Sequence, residues 1–358
     1  MRRLQADDFR VGLSGDFINV DGSMKYPSFD LEVLRTTPGI TSKFLPNSDP
    51  IRAELLEDLD ALILLGAQFS AGSIPASGRL SVITRFGVGY DSVDVAACTA
   101  NDIAVCITPD GVRRPVAASI LTLILALTGR LIIKDRLTRQ GPAGFVRARI
   151  DYMGMGVVGR TLGSIGIGNI GAEMFRLVRP LGMKFIAHDP FADPTIAAEL
   201  GIDLVDLETL FRQSDVLTVN CPLTPDTHRL VNADRLALMK PTSYLINTAR
   251  GAIVDQAALT AALKDCRIAG AGLDVFEREP PAADDPLLQL DNVIVTPHAL
   301  CWTDQCFAGI GAADLAAVIS VYEGRRPAGL LNKTVISQPG FIAKLERYAN
   351  AARQRHKS

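Results

Sequence analysis

The chain has 358 residues, of which 48% are hydrophobic, and its 37 Lys and Arg nearly balance its 39 Asp and Glu to give a net charge of −2. This length suffices for two ordinary domains with sizeable cores. The balanced charge argues against nucleic acid or an anionic membrane as a partner, because both attract surfaces with excess cations.

The cysteine pattern argues against a metal site. The six cysteines are scattered at positions 98, 106, 221, 266, 301 and 306, with no C-x-x-C pair and no nearby histidines. Zinc sites usually bring their ligands in such pairs, so no metal is expected. Unpaired cysteines and the absence of an apolar core behind Arg2 and Arg3 favour a reduced, cytoplasmic chain.

The first third of the chain predicts a small parallel α/β domain. Buried strands are expected over residues 11–14, 61–65, 82–86 and 103–107, whereas residues 29–34 fit either a helix or an extended segment. The strand at 82–86 runs into a glycine turn, Gly87-Val88-Gly89. Strands that alternate with helical stretches are typical of a parallel sheet.

The middle and end of the chain predict a second sheet followed by a helix. A buried helix is expected over 116–127, too short to span a membrane, and an irregular basic segment over 136–155. Six strands match a dinucleotide-binding sheet: 163–166, 184–188, 216–219, 243–247, 269–273 and 293–296. An alanine-rich helix should cover 308–322, and residues from 337 onward predict an exposed tail or a final surface helix.

A glycine motif, GIGNIG at 166–171, lies between a predicted strand and a predicted helix. In such a motif Gly166 permits the tight turn, Gly168 lets the backbone approach a pyrophosphate, and Gly171 lets the helix pack against the strand. The pyrophosphate binds at the helix N-terminus, where free N–H groups and the dipole favour negative charge. The alternative is a structural turn without a cofactor, but the order strand, glycines, helix, strand and acid favours a dinucleotide.

The acid in that order is Asp189, which ends the next predicted strand. A carboxylate there accepts hydrogen bonds from the ribose hydroxyls and repels a 2′-phosphate. Residues 190–193 supply no cation for such a phosphate. The sequence therefore predicts NAD rather than NADP.

Three later strand ends carry residues suited to hydride chemistry. Reduction of a 2-oxo acid requires a cation for its carboxylate and carbonyl, and a proton donor. Arg250 offers a planar fork for a carboxylate, and His298 alone among the four histidines follows both a buried strand and a proline turn. A carboxylate such as Glu279 beside it would favour the imidazolium. Taken singly, each has an ordinary structural interpretation as a turn arginine, a solvated acid or a structural histidine.

Together, the segments of the second half resemble the D-isomer-specific 2-hydroxyacid dehydrogenase family. The resemblance rests on the glycine motif, CPLTP at 221–225, NTARG at 247–251, LDVFEREP at 273–280 and TPH at 296–298, in the family's order. It extends from FGVGYD at 86–91 to about Val335. This combination is specific and gives Arg250 a functional rather than a structural interpretation.

The resemblance implies an NAD-dependent oxidoreductase that transfers a hydride between nicotinamide and a small D-2-hydroxy or 2-oxo acid. Glyoxylate, hydroxypyruvate and 3-phosphoglycerate are the candidate substrate types. Arg250 would bind the substrate carboxylate and carbonyl, His298 would be the general acid or base, and Glu279 would hydrogen-bond His298. Backbone amides at Val88 and Gly89 would help to hold the carboxylate.

The NAD site implied by the resemblance is larger. Asp274 would contact the nicotinamide carboxamide. The full set of implied cofactor residues is Gly166, Gly168, Asn169, Ile170, Gly171, Asp189, Cys221, Pro222, Thr227, Thr248, Ala249, Asp274 and His298.

The implied fold has two Rossmann-like domains. A discontinuous, flavodoxin-like substrate domain would comprise residues 1–115 plus 301–335, an NAD-binding Rossmann domain residues 116–300, and a C-terminal tail residues 336–358. Family members are usually homodimers joined mainly through the cofactor domain. The alternative function is an NAD-sensing, corepressor-like binding protein of the same superfamily, against which the complete catalytic trio argues.

The sequence also departs from the family pattern. Ala118 stands where a glutamate is frequent, and Asn220 where a histidine often precedes the CPLT turn. After His298 the common isoleucine-alanine-glycine is replaced by Ala299-Leu300-Cys301. These departures bear on the identity of the substrate rather than on the hydride chemistry.

Overall fold

The structure is a computed structural model that describes residues 8–355. By its internal contacts the chain divides into two compact units, one built from the segments up to Val112 and from Thr303 onward, the other from Arg113 to Trp302. Each unit has its own parallel sheet. The predicted class, α/β with two Rossmann-like domains, is confirmed.

The regular elements of the described residues are as follows. The strands are β1 (Phe9–Leu13), β2 (Ile40–Phe44), β3 (Ala61–Leu64), β4 (Val82–Arg85), β5 (Ala104–Cys106), β6 (Thr161–Ile165), β7 (Lys184–His188), β8 (Ile202–Leu204), β9 (Val216–Val219), β10 (Tyr244–Asn247), β11 (Gly270–Leu273) and β12 (Val293–Val295). The helices are α1 (Glu32–Thr36), α2 (Val95–Ala100), α3 (Pro109–Thr128), α4 (Leu131–Thr138), α5 (Pro142–Ile150), α6 (Asn169–Val178), α7 (Pro194–Leu200), α8 (Leu207–Gln213), α9 (Ala233–Leu238), α10 (Gln256–Lys264), α11 (Asp304–Tyr322) and α12 (Pro339–Arg355).

The sheet of the first unit has the strand order β2-β1-β3-β4-β5. Its interior strand β3 is fully buried, as a continuous apolar run requires when both faces of a parallel strand are covered. The strand order reverses between β1 and β3, and such a reversal opens a crevice at the carboxyl ends of the two strands. The edge strand β2 has no counterpart among the predicted strands, because three of its five residues are polar.

The sheet of the second unit has the order β12-β11-β10-β9-β6-β7-β8. Its apolar residues form a cluster that includes Met174 and Phe175 of α6 and a second that includes Leu245 and Leu259. Six strands were expected, and β8 makes a seventh. This short edge strand carries Asp203 and is exposed beyond Ile202, so it lacks the apolar run on which the prediction relied.

The apolar helix predicted over 116–127 is present but longer, because it starts at Pro109 and continues through Pro115 to Thr128. The prediction of an irregular segment after it was wrong. The segment expected to be irregular contains α4 and α5. Pro142, which follows Gly141 at φ +85°, stands at the first position of α5, where the missing proline N–H costs no hydrogen bond.

Two helices have the length and composition of membrane spans, α3 and α11. About half of the tested window of each is buried inside the protein, 50% and 56% respectively. In α3 the buried side chains include Ile120 and Ile124, which belong to the core of the second unit. Both helices therefore use their apolar residues for internal packing.

Of the two alternatives for the residues from 337 onward, an exposed tail or a final surface helix, the described part forms the helix. Residues 339–355 form α12, whose Phe341 and Tyr348 are 0% and 7% exposed. The Tyr348 hydroxyl donates to Oδ1 of the fully buried Asp60 at 2.7 Å. Lys344 donates to the carbonyl oxygen of Leu80 at 2.8 Å. The helix is thus anchored in the first unit, and residues 356–358 lie outside the described range.

Candidate active site

The glycine loop between β6 and α6 has the geometry of a dinucleotide turn. Gly166 has φ +92°, and a Cβ on Gly171 would lie 2.6 Å from the Gly166 carbonyl oxygen, whereas a Cβ on Gly168 would meet nothing within 4 Å. The first glycine therefore makes the turn, the third allows close packing, and the second faces open space. No side chain caps the N-terminus of α6, so its first N–H groups can receive a pyrophosphate.

Asp189 follows β7 and lies beside this loop. Its Oδ2 accepts a hydrogen bond from the Ile167 N–H and its Oδ1 one from the Phe191 N–H, both at 2.9 Å. Each carboxylate oxygen has a second lone-pair direction for a ribose hydroxyl. The residues therefore fit NAD: the loop offers N–H groups to the pyrophosphate, and an oriented carboxylate stands at its side.

The loop after β9 carries Cys221, Pro222 and Thr227. The Thr227 hydroxyl donates to the Pro222 carbonyl at 2.7 Å and accepts from the Thr224 N–H at 2.7 Å, so it shapes the loop from within. Burial raises the pKa of the Cys221 thiol to about 11, which keeps it protonated at neutral pH.

Arg250 stands in the loop after β10. The buried Asn247 side chain fixes this loop, because its Nδ2 donates to the Arg250 carbonyl at 2.9 Å and its Oδ1 accepts from the Ala249 N–H at 3.0 Å. A Cβ on Gly251 would lie 1.9 Å from the Phe276 backbone. Only glycine permits this approach, which brings the Arg250 loop against the loop that carries Glu279.

Glu279 and His298 form the ion-pairing part of the site. Oε2 of Glu279 lies 2.8 Å from Nδ1 of His298, and the two side chains are 38% and 45% exposed. Oε1 of Glu279 accepts from the Phe276 N–H at 3.0 Å. Burial opposes ionisation of Glu279, but the hydrogen bonds from His298 and Phe276 and the charges of His298 and Arg250 outweigh it, so the pKa of Glu279 lies below its usual range.

Asp274 has a structural role that the sequence did not indicate. This carboxylate is 3% exposed and accepts from the Thr296 hydroxyl at 2.6 Å and from the N–H groups of Ala299 at 3.0 Å and Leu300 at 3.2 Å. It thereby spans the turn in which His298 adopts φ +55°, a conformation that non-glycine residues rarely adopt. The expected contact with the nicotinamide carboxamide stays a prediction.

The other expected site residues divide between the two units. Thr248 and Ala249 lie with Arg250 after β10 in the second unit. Val88 and Gly89 lie in the first unit after β4, in a turn that the Thr108 hydroxyl supports by accepting from the Gly87 N–H at 3.0 Å. Arg250, Glu279 and His298 are brought together within the second unit, as the hydrogen bond and the charge acting on Glu279 indicate.

A parallel sheet with a glycine loop, an oriented aspartate and an arginine-glutamate-histidine trio defines an NAD-dependent dehydrogenase. Comparison with known proteins identifies the family. Residues 121–299 match the family described as "D-isomer specific 2-hydroxyacid dehydrogenase, NAD binding domain". The chain belongs to this D-isomer specific 2-hydroxyacid dehydrogenase family.

Individual relatives agree with this assignment. The chain is 36% identical to a glyoxylate reductase of Korarchaeum cryptofilum over 83% of this chain and 90% of that protein. It is 34% identical to a D-3-phosphoglycerate dehydrogenase of Archaeoglobus fulgidus over 81% of this chain and 55% of that protein. Among solved structures, the D-mandelate dehydrogenase of Rhodotorula graminis superposes with a TM-score of 0.80 at 27% identity, covering 90% of this chain and 97% of that one.

The reaction class follows from this membership. The protein is an NAD-dependent oxidoreductase that acts between 2-hydroxy acids and 2-oxo acids. The predictions of family, enzyme class and cofactor are therefore confirmed, and nothing supports the corepressor alternative.

Proposed function

We propose that the chain reduces a small, singly charged 2-oxo acid, with glyoxylate as the first candidate, and that Arg250, Glu279 and His298 are its catalytic residues. The observation that carries the proposal is the 2.8 Å hydrogen bond between Glu279 and His298 beside the charge of Arg250. The glyoxylate reductase named above supports the choice of substrate.

Each residue has a distinct task in this proposal. Arg250 binds the substrate carboxylate and polarises the 2-oxo group through its guanidinium. His298 donates a proton to that oxygen from Nε2 during reduction and removes it during oxidation, while Nδ1 remains bonded to Glu279. The Glu279 carboxylate orients the imidazole through its hydrogen bond to Nδ1. NAD supplies or accepts the hydride, and backbone amides at Val88 and Gly89 help to hold the substrate carboxylate.

A carboxylate in the first unit favours a substrate that has no second anionic group. Asp16 follows β1 at the point where the strand order reverses, which is where open parallel sheets bind ligands. Its Oδ2 accepts from the N–H groups of Gly66 at 2.8 Å and Ala67 at 3.1 Å, in the loop after β3. A carboxylate held at this position repels a phosphate or a second carboxylate. This disfavours the phosphorylated member of the three candidate substrate types.

The experiment is a substrate panel with purified protein. NADH oxidation should proceed with glyoxylate and hydroxypyruvate and be much slower with 3-phosphohydroxypyruvate. His298→Ala should lose at least a thousandfold in kcat, because it removes the proton donor. His228→Ala is the matched control, because His228 is an exposed histidine of the same unit. Equal kcat in His298→Ala and wild type would overturn the assignment of the proton donor, and preferred turnover of the phosphorylated acid would overturn the substrate class.

We further propose a homodimer formed through the second unit. Large apolar side chains are exposed along and beside α4 and α5: Leu131, Ile132, Phe145, Val146, Ile150 and Met153, each at 48% exposure or more. Exposed apolar groups in such number are typical of an interaction surface. Light scattering should give twice the chain mass, and Val146→Asp with Ile150→Asp should give a folded monomer. A monomeric wild type at micromolar concentration would contradict this proposal.

A cytoplasmic location completes the proposal. All six cysteines fall within the described residues, and none forms a disulfide. A reducing compartment would keep them so, and fractionation of cells that express the tagged protein would test this.

A further inference from the structure

We propose that Asn220 and Ser164 are positioning residues for NAD, acting through the peptide that joins Gly166 to Ile167. The inference concerns cofactor binding and does not depend on which 2-oxo acid is the substrate.

A chain of two hydrogen bonds runs from Asn220 to the glycine loop. Nδ2 of Asn220, which follows β9, donates to the Ser164 hydroxyl in the neighbouring strand β6 at 2.9 Å. The Ser164 hydroxyl in turn donates to the Gly166 carbonyl oxygen at 2.6 Å. Because a hydroxyl has a single proton, the donation from Asn220 directs the Ser164 proton toward Gly166.

The carbonyl and the N–H of one peptide group are both held by hydrogen bonds. The carbonyl of the Gly166–Ile167 peptide accepts from Ser164, and its N–H donates to Oδ2 of Asp189 at 2.9 Å. Gly166 adopts φ +92°, and because glycine has no Cβ to restrict its backbone, other groups must fix the orientation of this peptide. Asn220 and Asp189 are thus linked through Ser164 and one peptide.

The hydroxyl groups that receive the Asn220 hydrogen bonds are buried. Ser164 and Thr218 are 0% exposed. Nδ2 of Asn220 also donates to the Thr218 hydroxyl at 3.0 Å, which donates to the Gly163 carbonyl at 3.1 Å. Replacement of Asn220 by alanine would leave the buried Ser164 and Thr218 hydroxyl oxygens without this N–H donor. A buried polar atom that loses its hydrogen-bond partner destabilises the fold. The network therefore fixes one orientation of the loop rather than permitting several.

The consequence for function is specific to the adenosine half of the cofactor. The fixed peptide sets where the Asp189 carboxylate lies and where the first N–H groups of α6 point, so it prepares the ribose and pyrophosphate contacts. Arg250, Glu279 and His298 lie on other loops. Disruption should therefore weaken NADH binding without slowing the chemical step.

The test uses the full-length protein with Asn220→Ala and Ser164→Ala. Each should raise the KM for NADH and the calorimetric Kd for ADP-ribose by a similar factor of about three to ten, which corresponds to one hydrogen bond. The kcat at saturating NADH should change by less than about twofold. The double variant should be no worse than the poorer single variant, because both act through the same peptide.

Two further variants separate positioning from general stability. Asn220→His retains an N–H donor and should recover most of the ADP-ribose affinity. Ser243→Ala removes another buried serine hydroxyl of the second unit, one that donates to the Lys240 carbonyl at 2.7 Å, and it should leave ADP-ribose binding unchanged. Unchanged ADP-ribose affinity in folded Asn220→Ala and Ser164→Ala would overturn the proposal, as would an equal loss in Ser243→Ala.

Discussion

Glu279→Gln is the substitution that removes the negative charge beside His298. Glutamine keeps nearly the same shape and one acceptor oxygen for Nδ1 of His298, but its NH2 group then faces the Phe276 N–H, so the variant loses the charge together with that one acceptor. The pKa of Glu279 lies below its usual range because its hydrogen bonds and the neighbouring charges of His298 and Arg250 outweigh its burial. The wild-type carboxylate is therefore ionised throughout the neutral range, and the variant differs from it at every pH of interest.

The magnitude follows from the distance and the exposure of the pair. Two opposite charges about 4 Å apart attract by roughly 4 kcal/mol at the effective dielectric of a protein surface. Because the Glu279 and His298 side chains are 38% and 45% exposed, solvent screening reduces the net value to about 0.7 kcal/mol. A loss of about 0.7 kcal/mol corresponds to a factor of about three, so kcat/KM for the variant should be lower by at least about threefold.

The assay is kcat/KM for glyoxylate reduction with NADH between pH 5 and 9. Because the pKa of Glu279 lies below its usual range, its carboxylate is ionised over this whole series, so kcat/KM should be at least about threefold lower in the variant at every pH tested. Glu277→Gln is the matched control, since Glu277 pairs with Arg229 at 2.6 Å instead. Equal kcat/KM values for Glu279→Gln and wild type, or an equal loss in Glu277→Gln, would refute this expectation.

Three further substitutions test other parts of the molecule. Arg250→Lys keeps the charge but loses the planar fork, so kcat/KM for glyoxylate should fall by about 30- to 100-fold in steady-state assays. Asp189→Ala removes the ribose acceptor and the repulsion of a 2′-phosphate, so the ratio of NADH to NADPH turnover should fall at least tenfold; an unchanged ratio would contradict the ribose contact. Tyr348→Phe leaves the fully buried Asp60 short of the donor at 2.7 Å, so urea titration should show the unfolding free energy of the first unit lower by about 2 kcal/mol, with turnover per folded molecule unchanged.

The parts of the fold that could be predicted from the sequence are those in which one residue pattern decides the structure. The strand Ala61–Leu64 is buried on both faces and apolar throughout, so its pattern is unambiguous. The edge strands Ile40–Phe44 and Ile202–Leu204 have mostly polar or exposed residues. They are strands because their backbones pair with a neighbouring strand. This pairing does not require a particular residue type, so the sequence does not indicate it.

Helix α12 shows a second limit of sequence reasoning. Five of its 17 residues are charged, and only Phe341 and Tyr348 are buried. Their spacing of seven residues places them on one helical face, but two residues are a weak signal in a charged segment. What holds the helix is Asp60, a buried carboxylate 288 positions away in the chain, and no local pattern indicates that partner.

The proximity of Arg250, Glu279 and His298 could be predicted because each follows a strand, and the carboxyl ends of parallel strands lie at one edge of a sheet. The order of strands β10, β11 and β12 along that edge places the three loops side by side. Asp274 was assigned to the cofactor by the family resemblance. Its contacts with Thr296, Ala299 and Leu300 depend on the left-handed backbone at His298, which the sequence does not reveal.

Asp16, Asp189 and Asp274 share one physical device. Each lies just beyond the end of a strand and accepts hydrogen bonds from backbone N–H groups. For Asp16 and Asp274 the donors lie in the loop that follows a neighbouring strand. For Asp189 they lie in the glycine loop and in its own turn. A carboxylate at such a position accepts hydrogen bonds from N–H groups that would otherwise be unpaired at the sheet edge. It also places a negative charge there. Structural and functional roles therefore coincide in one residue type. Because both oxygens of each carboxylate accept hydrogen bonds, asparagine would turn one acceptor into a donor, so removal of the charge at these positions also disturbs the loop that the carboxylate holds.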